Sequence, residues 1–115
     1  MMQTINDIPE NFTAFRIHQL KEGDKKKITS GFEQISLSDL TEGEVVIKVA
    51  YSDINYKDAL AGTGKGRILR TYPLVGGIDL SGVVIHSQDD RFSQGDKVLV
   101  CGAQLSELYD GGYSE

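Results

Sequence analysis

Residues 44–62 read EVVIKVAYSDINYKDALAG, and the spacing of apolar residues changes halfway along this stretch. In the first half apolar side chains recur at every second position, which predicts a β-strand with one face against a core. Thirteen glycines against two prolines in 115 residues indicate many tight turns, as short strands require. The side chains expected to share the buried face are Val45, Ile47, Val49 and Tyr51.

The second half of this stretch predicts a short helix. Ile54, Asp58 and Ala61 fall at helical spacing, so we expect about two turns of helix that begin near Asp53. Ser52 or Asp53 can cap its N-terminus, and Gly62 is expected to end it.

The rest of the chain predicts more strands separated by turns. Residues 21–24 are typical of a turn, the lysines at 25–27 of its solvated continuation, and residues 63–67 of a mobile, basic, glycine-rich loop. We therefore predict one mainly β domain over residues 12–115, preceded by a tail of residues 1–11. The additional strands are expected in residues 12–18, 78–86 and 97–101.

Composition and charge exclude several classes of partner. The formal charge of −5 disfavours binding to nucleic acid. No apolar run is long enough to span a membrane, so no membrane partner is expected. Cys101 is the single cysteine, which excludes an internal disulfide, and the first residues do not read as a leader. We expect a cytoplasmic protein.

Three patches, in order, resemble the medium-chain dehydrogenase/reductase superfamily. They are Ser52–Asp58 after a strand, Gly77–Val84, and Phe92–Val98, and the chain then ends in Gly-Gly-Tyr-Ser-Glu. The sequence NYKDALA at residues 55–61 is similar to one zinc-independent group, the YhdH/YhfP type. This group is described as quinone oxidoreductases and is related to acryloyl-CoA reductases.

This resemblance implies a fold and an activity. The fold would be a GroES-like, partly open β-barrel with one or two short helices, cut off before the nucleotide-binding domain. The complete protein would use NADPH to reduce a quinone or an activated alkene such as an enoyl-CoA, and a homodimer is expected. Without the nucleotide-binding domain, we expect this chain to be inactive and to bind NADPH weakly or not at all.

Zinc is not expected. In the zinc-dependent members of the superfamily, a cysteine and a histidine bind the catalytic metal at the positions that are Asn55 and Ile78 here, and neither replaces such a ligand. His18 and His86 lack ligand spacing. Cys101 lies in an apolar strand and is expected to be a small core residue.

The best candidate site residues are Asn55 and Tyr56, at the start of the helix. The resemblance implies that they face the nicotinamide and the substrate, and an amide and a phenol suit the polarisation of a carbonyl oxygen. Helix capping by Asn55 and packing of the Tyr56 ring are the structural alternative.

Four further residues are candidates for substrate binding. Lys57 and Asp58 are expected to form a charge pair on the helix surface, while the glycine-rich loop could attract an anionic substrate such as a CoA thioester. A loop that is merely solvated is equally consistent with the sequence. The loop candidates are Lys65 and Arg67.

A different class of function also fits the sequence, namely a stand-alone β-barrel binding module without catalytic activity. The two hypotheses differ in how the gene continues beyond residue 115. A Gly-rich strand–helix motif there would favour the enzyme.

Overall fold

The computed structural model describes residues 8–22 and 25–115. Strands dominate this part of the chain, as the sequence predicts. The two longest, β1 and β2, pair along their whole length in antiparallel register. The strands are β1 (Phe12–Glu22), β2 (Lys25–Ile35), β3 (Val45–Ser52), β4 (Leu74–Val75), β5 (Asp79–Ser87) and β6 (Lys97–Cys101).

The strands form two antiparallel sheets of three strands each. One has the order β2-β1-β4 and the other the order β3-β5-β6. An isolated bridge between Ala14 and Ser114 brings the last residues back to β1. The mainly β prediction is therefore confirmed, and residues 8–22 and 25–115 contain one short α-helix and one 3-10 turn, Leu37–Asp39.

The α-helix, α1, runs from Tyr56 to Thr63, so it begins later in the chain than the start near Asp53 that the sequence predicted. Its N-cap is Asn55 and not Ser52 or Asp53, because the backbone N–H of Asn55 donates to the Asp58 carboxylate at 2.8 Å. At the other end Gly64, with φ of +75°, takes the left-handed conformation that we expected Gly62 to supply.

The strand β3 contains a correction to the predicted face of Tyr51. Ile47 and Val49 oppose Val84 and Gly82, which are buried, but a bulge after Val49 leaves Ala50 unpaired and shifts the register. Tyr51 therefore opposes Ser81 and is 77% exposed. The prediction that Tyr51 lies on the buried face with Ile47 was wrong.

The first half of β1 carries buried side chains on both of its faces, which explains its density of apolar residues. One face carries Phe12 and Ala14, which pack with Ile35 and Val75. The other carries Ile17, which packs in a second cluster against α1. That cluster consists of Ile17, Ala61, Leu69 and Leu74, with Phe15, Ile28, Ile68 and Tyr72 at its margin.

Two further expectations differ from the structure. The lysines at 25–27 begin β2 and are not part of a turn, because the β1–β2 ladder continues to the pair Glu22 and Lys25. The turn expected at residues 21–24 begins later than predicted, because β1 continues to Glu22. Residues 23–24 and most of the tail, residues 1–7, lie outside the described residues. Cys101 is exposed and not in the core, because it shares a face of β6 with Lys97 and Leu99, which are exposed too.

No helix in residues 8–22 and 25–115 has the length and apolar character needed to cross a membrane.

Candidate functional site

The first turn of α1 is fixed by a buried carboxylate. Asp58, the third residue of the helix, is 7% exposed. Its Oδ2 accepts the backbone N–H of Asn55 at 2.8 Å, and its Oδ1 accepts the backbone N–H of Ile78 at 3.1 Å. A carboxylate here satisfies a free N–H of the helix start and interacts favourably with the helix dipole. Asp58 thus ties α1 to the segment that precedes β5.

A second carboxylate, Asp79 at the start of β5, holds the side chain of Asn55. The Nδ2 of Asn55 donates to Asp79 Oδ2 at 2.8 Å and lies 3.4 Å from Asp58 Oδ2. The other oxygen of Asp79 accepts the backbone N–H of Gly102 at 3.1 Å. The carboxamide nitrogen of Asn55 is therefore directed at carboxylates, while the acceptor side of the same side chain faces the backbone N–H of Asp58 in a capping box.

Tyr113, in the C-terminal segment, lies beside this carboxylate network. Its hydroxyl donates to the backbone carbonyl of Asp53 at 2.8 Å. Burial and the neighbouring carboxylate of Asp58 raise the pKa of Tyr113 to about 12. The phenol therefore stays neutral at physiological pH and acts as a hydrogen-bond donor beside two carboxylates.

Glycine is required where Tyr113 crosses the chain before β5. Gly77 has φ of +97°, and a Cβ there would lie 2.8 Å from Cδ1 of the Tyr113 ring. Glycine is also required at Gly82 in β5, since a Cβ there would overlap the carbonyl oxygen of Lys48.

The predicted site residues fall into two groups. Asn55 lies within the carboxylate network, half-buried, whereas Tyr56 next to it is 79% exposed and free to contact a ligand. Lys57 and Arg67 are both exposed and line one cleft, which Lys65, also exposed, does not line.

The charge pair expected between Lys57 and Asp58 does not form. Asp58 points into the protein and its two oxygens accept backbone N–H groups, while Lys57 faces the cleft. The pair was predicted from adjacency alone, but neighbouring residues of a helix point about 100° apart.

Sequence reasoning did not include Asp79 or Tyr113 among the site residues. Asp79 had a signal, because it comes directly after Ile78, the position of a metal ligand in the zinc-dependent relatives. Tyr113 had only the signal of lying in the terminal Gly-Gly-Tyr-Ser-Glu, since only the fold brings residue 113 beside residues 53 and 58.

Within the described ranges, no group of three or more His, Cys, Asp or Glu side chains is arranged to hold a metal ion. His18 lies far from the network and contacts Glu33, with Nε2 at 3.1 Å from Oε1. Independence from zinc remains a prediction of the sequence.

Comparisons with known proteins agree on one family. Residues 41–114 match the alcohol dehydrogenase GroES-like domain. The chain is 53% identical to YhfP of Bacillus subtilis over 81 residues, which are 70% of this chain and 24% of YhfP. It is 43% identical to the acrylyl-CoA reductase AcuI of Ruegeria pomeroyi over 95 residues, which are 83% of this chain and 29% of AcuI.

Solved structures show the same relationship. The crystal structure of B. subtilis YhfP with NAD bound matches with a TM-score of 0.81 and 44% identity, covering 93% of this chain and 31% of that one. Escherichia coli K-12 YhdH with bound NADPH matches with a TM-score of 0.76 and 39% identity, covering 88% and 31% respectively.

The two sheets and the capped helix are thus the GroES-like fold of the N-terminal domain of medium-chain dehydrogenases/reductases. The chain belongs to the alcohol dehydrogenase GroES-like domain family, and its relatives are oxidoreductases of the YhdH/YhfP and AcuI type. The chain spans only 24% to 29% of the length of these curated relatives.

Proposed function

We propose that this chain is the substrate-side domain of a zinc-independent, NADPH-dependent reductase that acts on a quinone or an activated alkene such as an enoyl-CoA. Residues 12–115 form this domain, and a nucleotide-binding domain completes the enzyme. We also propose that the enzyme is cytoplasmic, that it acts on a small molecule, and that it is a homodimer.

The network of Asn55, Asp58 and Asp79 is the observation that carries the proposal. Asn55 occupies the position of a metal ligand in the zinc-dependent branch, and its amide is held by a carboxylate 2.8 Å away. A neutral amide fixed in this way positions a ligand by hydrogen bonding, without supplying a charge. Chemistry at this site therefore depends on hydrogen-bond donors and acceptors from the protein.

The residues fit a nicotinamide ring and a substrate carbonyl. A bound nicotinamide cofactor supplies the hydride. The side-chain oxygen of Asn55 has two lone pairs, so beside its place in the capping box it can accept a second hydrogen bond from the carboxamide of such a ring. Tyr56, exposed beside it, donates its hydroxyl hydrogen to the carbonyl oxygen on which negative charge develops. Asn55 is thus a binding residue and Tyr56 a catalytic one.

The chain on its own is proposed to be inactive. Strong dinucleotide binding needs a helix N-terminus at the pyrophosphate and an acidic residue at the ribose, both from a βαβ unit. The described residues contain one α-helix, and a carboxylate occupies its first turn.

The test is the NADPH-dependent reduction of acrylyl-CoA and of a benzoquinone by the complete polypeptide after chelator treatment. Tyr56→Phe should lower kcat about 10- to 100-fold with little change in KM, as expected for loss of one donor to a developing oxyanion. Tyr51→Phe is the matched control, because Tyr51 is equally exposed, at 77% against 79%, and lies outside the network. Equal activity of the two variants would remove Tyr56 from the mechanism.

The same assay decides between the enzyme and the stand-alone binding module. A complete polypeptide that reduces neither substrate with NADPH or NADH would contradict the reductase and favour the module. Activity that chelation abolishes and zinc restores would contradict the zinc-independent assignment.

A further inference from the structure

Asp79 determines the orientation of the Asn55 carboxamide. A carboxamide has an oxygen that only accepts hydrogen bonds and an NH2 group that only donates them, and half a turn about the side chain exchanges the two. The NH2 group of Asn55 lies 2.8 Å from Oδ2 of Asp79 and 3.4 Å from Oδ2 of Asp58. Because an ionised carboxylate accepts hydrogen bonds and donates none, the reversed orientation would bring acceptor oxygens together. The two carboxylates therefore allow one orientation of this amide.

The opposite end of the same side chain favours the same orientation. Its oxygen faces the backbone N–H of Asp58 in the capping box at the start of α1. In the reversed orientation the NH2 group of Asn55 would meet that N–H, which is a donor as well. The NH2 group is thus directed at carboxylates, and the second lone pair of the oxygen is what Asn55 offers to a ligand.

Asp79 is itself held in place by contacts with two other parts of the chain. It begins β5, where it lies opposite Cys101 of β6. Its Oδ1 accepts the backbone N–H of Gly102 at 3.1 Å, and its Oδ2 accepts from Asn55. The two oxygens therefore serve one donor just after β6 and one at the start of α1. A side chain with a single acceptor oxygen could serve only one of them.

This arrangement decides which groups Asn55 can bind. A group that contacts its oxygen must donate a hydrogen, because an acceptor placed there would leave two oxygens facing each other without one. A ketone, quinone or thioester carbonyl has no such hydrogen, whereas the primary carboxamide of a nicotinamide ring does. Asn55 is therefore suited to the cofactor and not to the carbonyl oxygen of the substrate, which leaves polarisation of that carbonyl to Tyr56.

From these observations we propose that Asp79 is a specificity-determining residue, which positions Asn55 so that the site selects a cofactor with a primary carboxamide. The inference rests on the proposed reductase function, in which Asn55 contacts the nicotinamide ring. Asp79 acts through the orientation of Asn55 and is a positioning residue, not a catalytic one. Its replacement should change the discrimination between cofactors more than it changes the chemical step.

The main experiment compares the binding of two reduced cofactors to the complete polypeptide by calorimetry. They are NADPH and its 3-acetylpyridine analogue, in which a methyl group replaces the NH2 of the carboxamide and so removes the donor. We expect the native protein to prefer NADPH by about fivefold or more, as for the loss of one hydrogen bond. Because both cofactors carry the same phosphates, the ratio of their dissociation constants cancels any effect of a variant on phosphate binding.

Asp79→Asn is the test variant, because it has the same shape and offers one acceptor oxygen to two donors. With that oxygen on Gly102, its NH2 group faces Asn55, whose amide turns over and presents a donor. The preference for NADPH should then fall to about twofold or less. Asp90→Asn is the matched control and should keep the native ratio, since Asp90 is exposed and forms no hydrogen bond in the described structure.

A second variant tests whether Asp79 acts through Asn55. Asn55→Ala removes the amide, so it should lower the preference for NADPH on its own. Asp79→Asn added to Asn55→Ala should change the ratio no further, because the group that Asp79 positions is already absent. An additional loss of the same size in the double variant would contradict action through Asn55.

NMR of the complete polypeptide, labelled with 15N-asparagine, observes the amide without any cofactor. We expect the side-chain NH2 of Asn55 to be ordered in the native protein and in Asp90→Asn, and to be mobile or reversed in Asp79→Asn. The remaining asparagine signals verify that each variant is folded.

Two results would overturn the inference: a cofactor ratio in Asp79→Asn equal to the native one, or an Asn55 amide equally ordered and in the same orientation in both proteins. Either leaves the proposed reductase function standing if the complete polypeptide reduces acrylyl-CoA or a quinone. Conversely, an Asn55 amide that Asp79→Asn releases, in a polypeptide that binds neither cofactor, would contradict the proposed function and not the part of Asp79 in orienting Asn55.

Discussion

Asp58→Ala should destabilise the chain by about 3–7 kcal/mol, because it removes the acceptor of two hydrogen bonds at once. Each bond from a backbone N–H to a buried carboxylate is worth about 1.5–3 kcal/mol. The favourable interaction with the start of α1 adds about 0.3–1 kcal/mol. The backbone N–H groups of Asn55 and Ile78 would lose their acceptor. Water could replace that acceptor only poorly, because Asp58 itself is only 7% exposed.

The assay is urea unfolding followed by circular dichroism. The matched control is Asp90→Ala, which removes the same charge from an exposed carboxylate without a hydrogen bond in the described structure, and it should change the free energy of unfolding by less than about 0.5 kcal/mol. Asp58→Asn keeps one acceptor oxygen and should fall between the two. If Asp58→Ala and Asp90→Ala lie within about 1 kcal/mol of each other, the network does not stabilise the helix as described.

Three further predictions concern single side chains. The raised pKa of Tyr113, about 12, means that the folded chain keeps a proton that the unfolded chain loses near 10. Stability should therefore fall between pH 10 and 12, and it should fall less steeply in Tyr113→Phe. The ultraviolet absorbance of tyrosinate should also lose its late-titrating component in that variant. Leu74→Ala should cost about 2–5 kcal/mol in urea unfolding, because Leu74 is fully buried in the cluster beneath α1; a loss below about 1 kcal/mol would contradict tight packing there. Cys101 is exposed, so a thiol reagent should modify it in the native chain about as fast as in urea; strong native protection would instead place it in a core.

The strands and the family could be predicted from the sequence because both depend on local patterns. Alternating apolar residues identified β3, and the order of three short motifs identified the superfamily. The pattern failed at Tyr51, since a one-residue bulge moves every later side chain to the other face and alternation alone does not reveal it.

The site was only partly predictable. Asn55 and Tyr56 were predicted as site residues because they lie at the start of the helix within a recognisable motif. The partner of Asn55 is 24 residues away, and the phenol beside Asp58 is contributed by residue 113. Contacts of this kind depend on the register of β5 and on the path of the last residues across Gly77, which no local spacing encodes.

The hydrogen bond between Asn55 and Asp79 also restricts how this lineage could evolve. A mutation of Asn55 to cysteine would place a thiol beside two carboxylates, where the thiolate needed for metal binding is disfavoured unless the cation arrives with it. Ile78 would still supply no ligand after that first step. A metal site at this position would therefore need a ligand in place of Ile78 as well as a thiolate in place of Asn55.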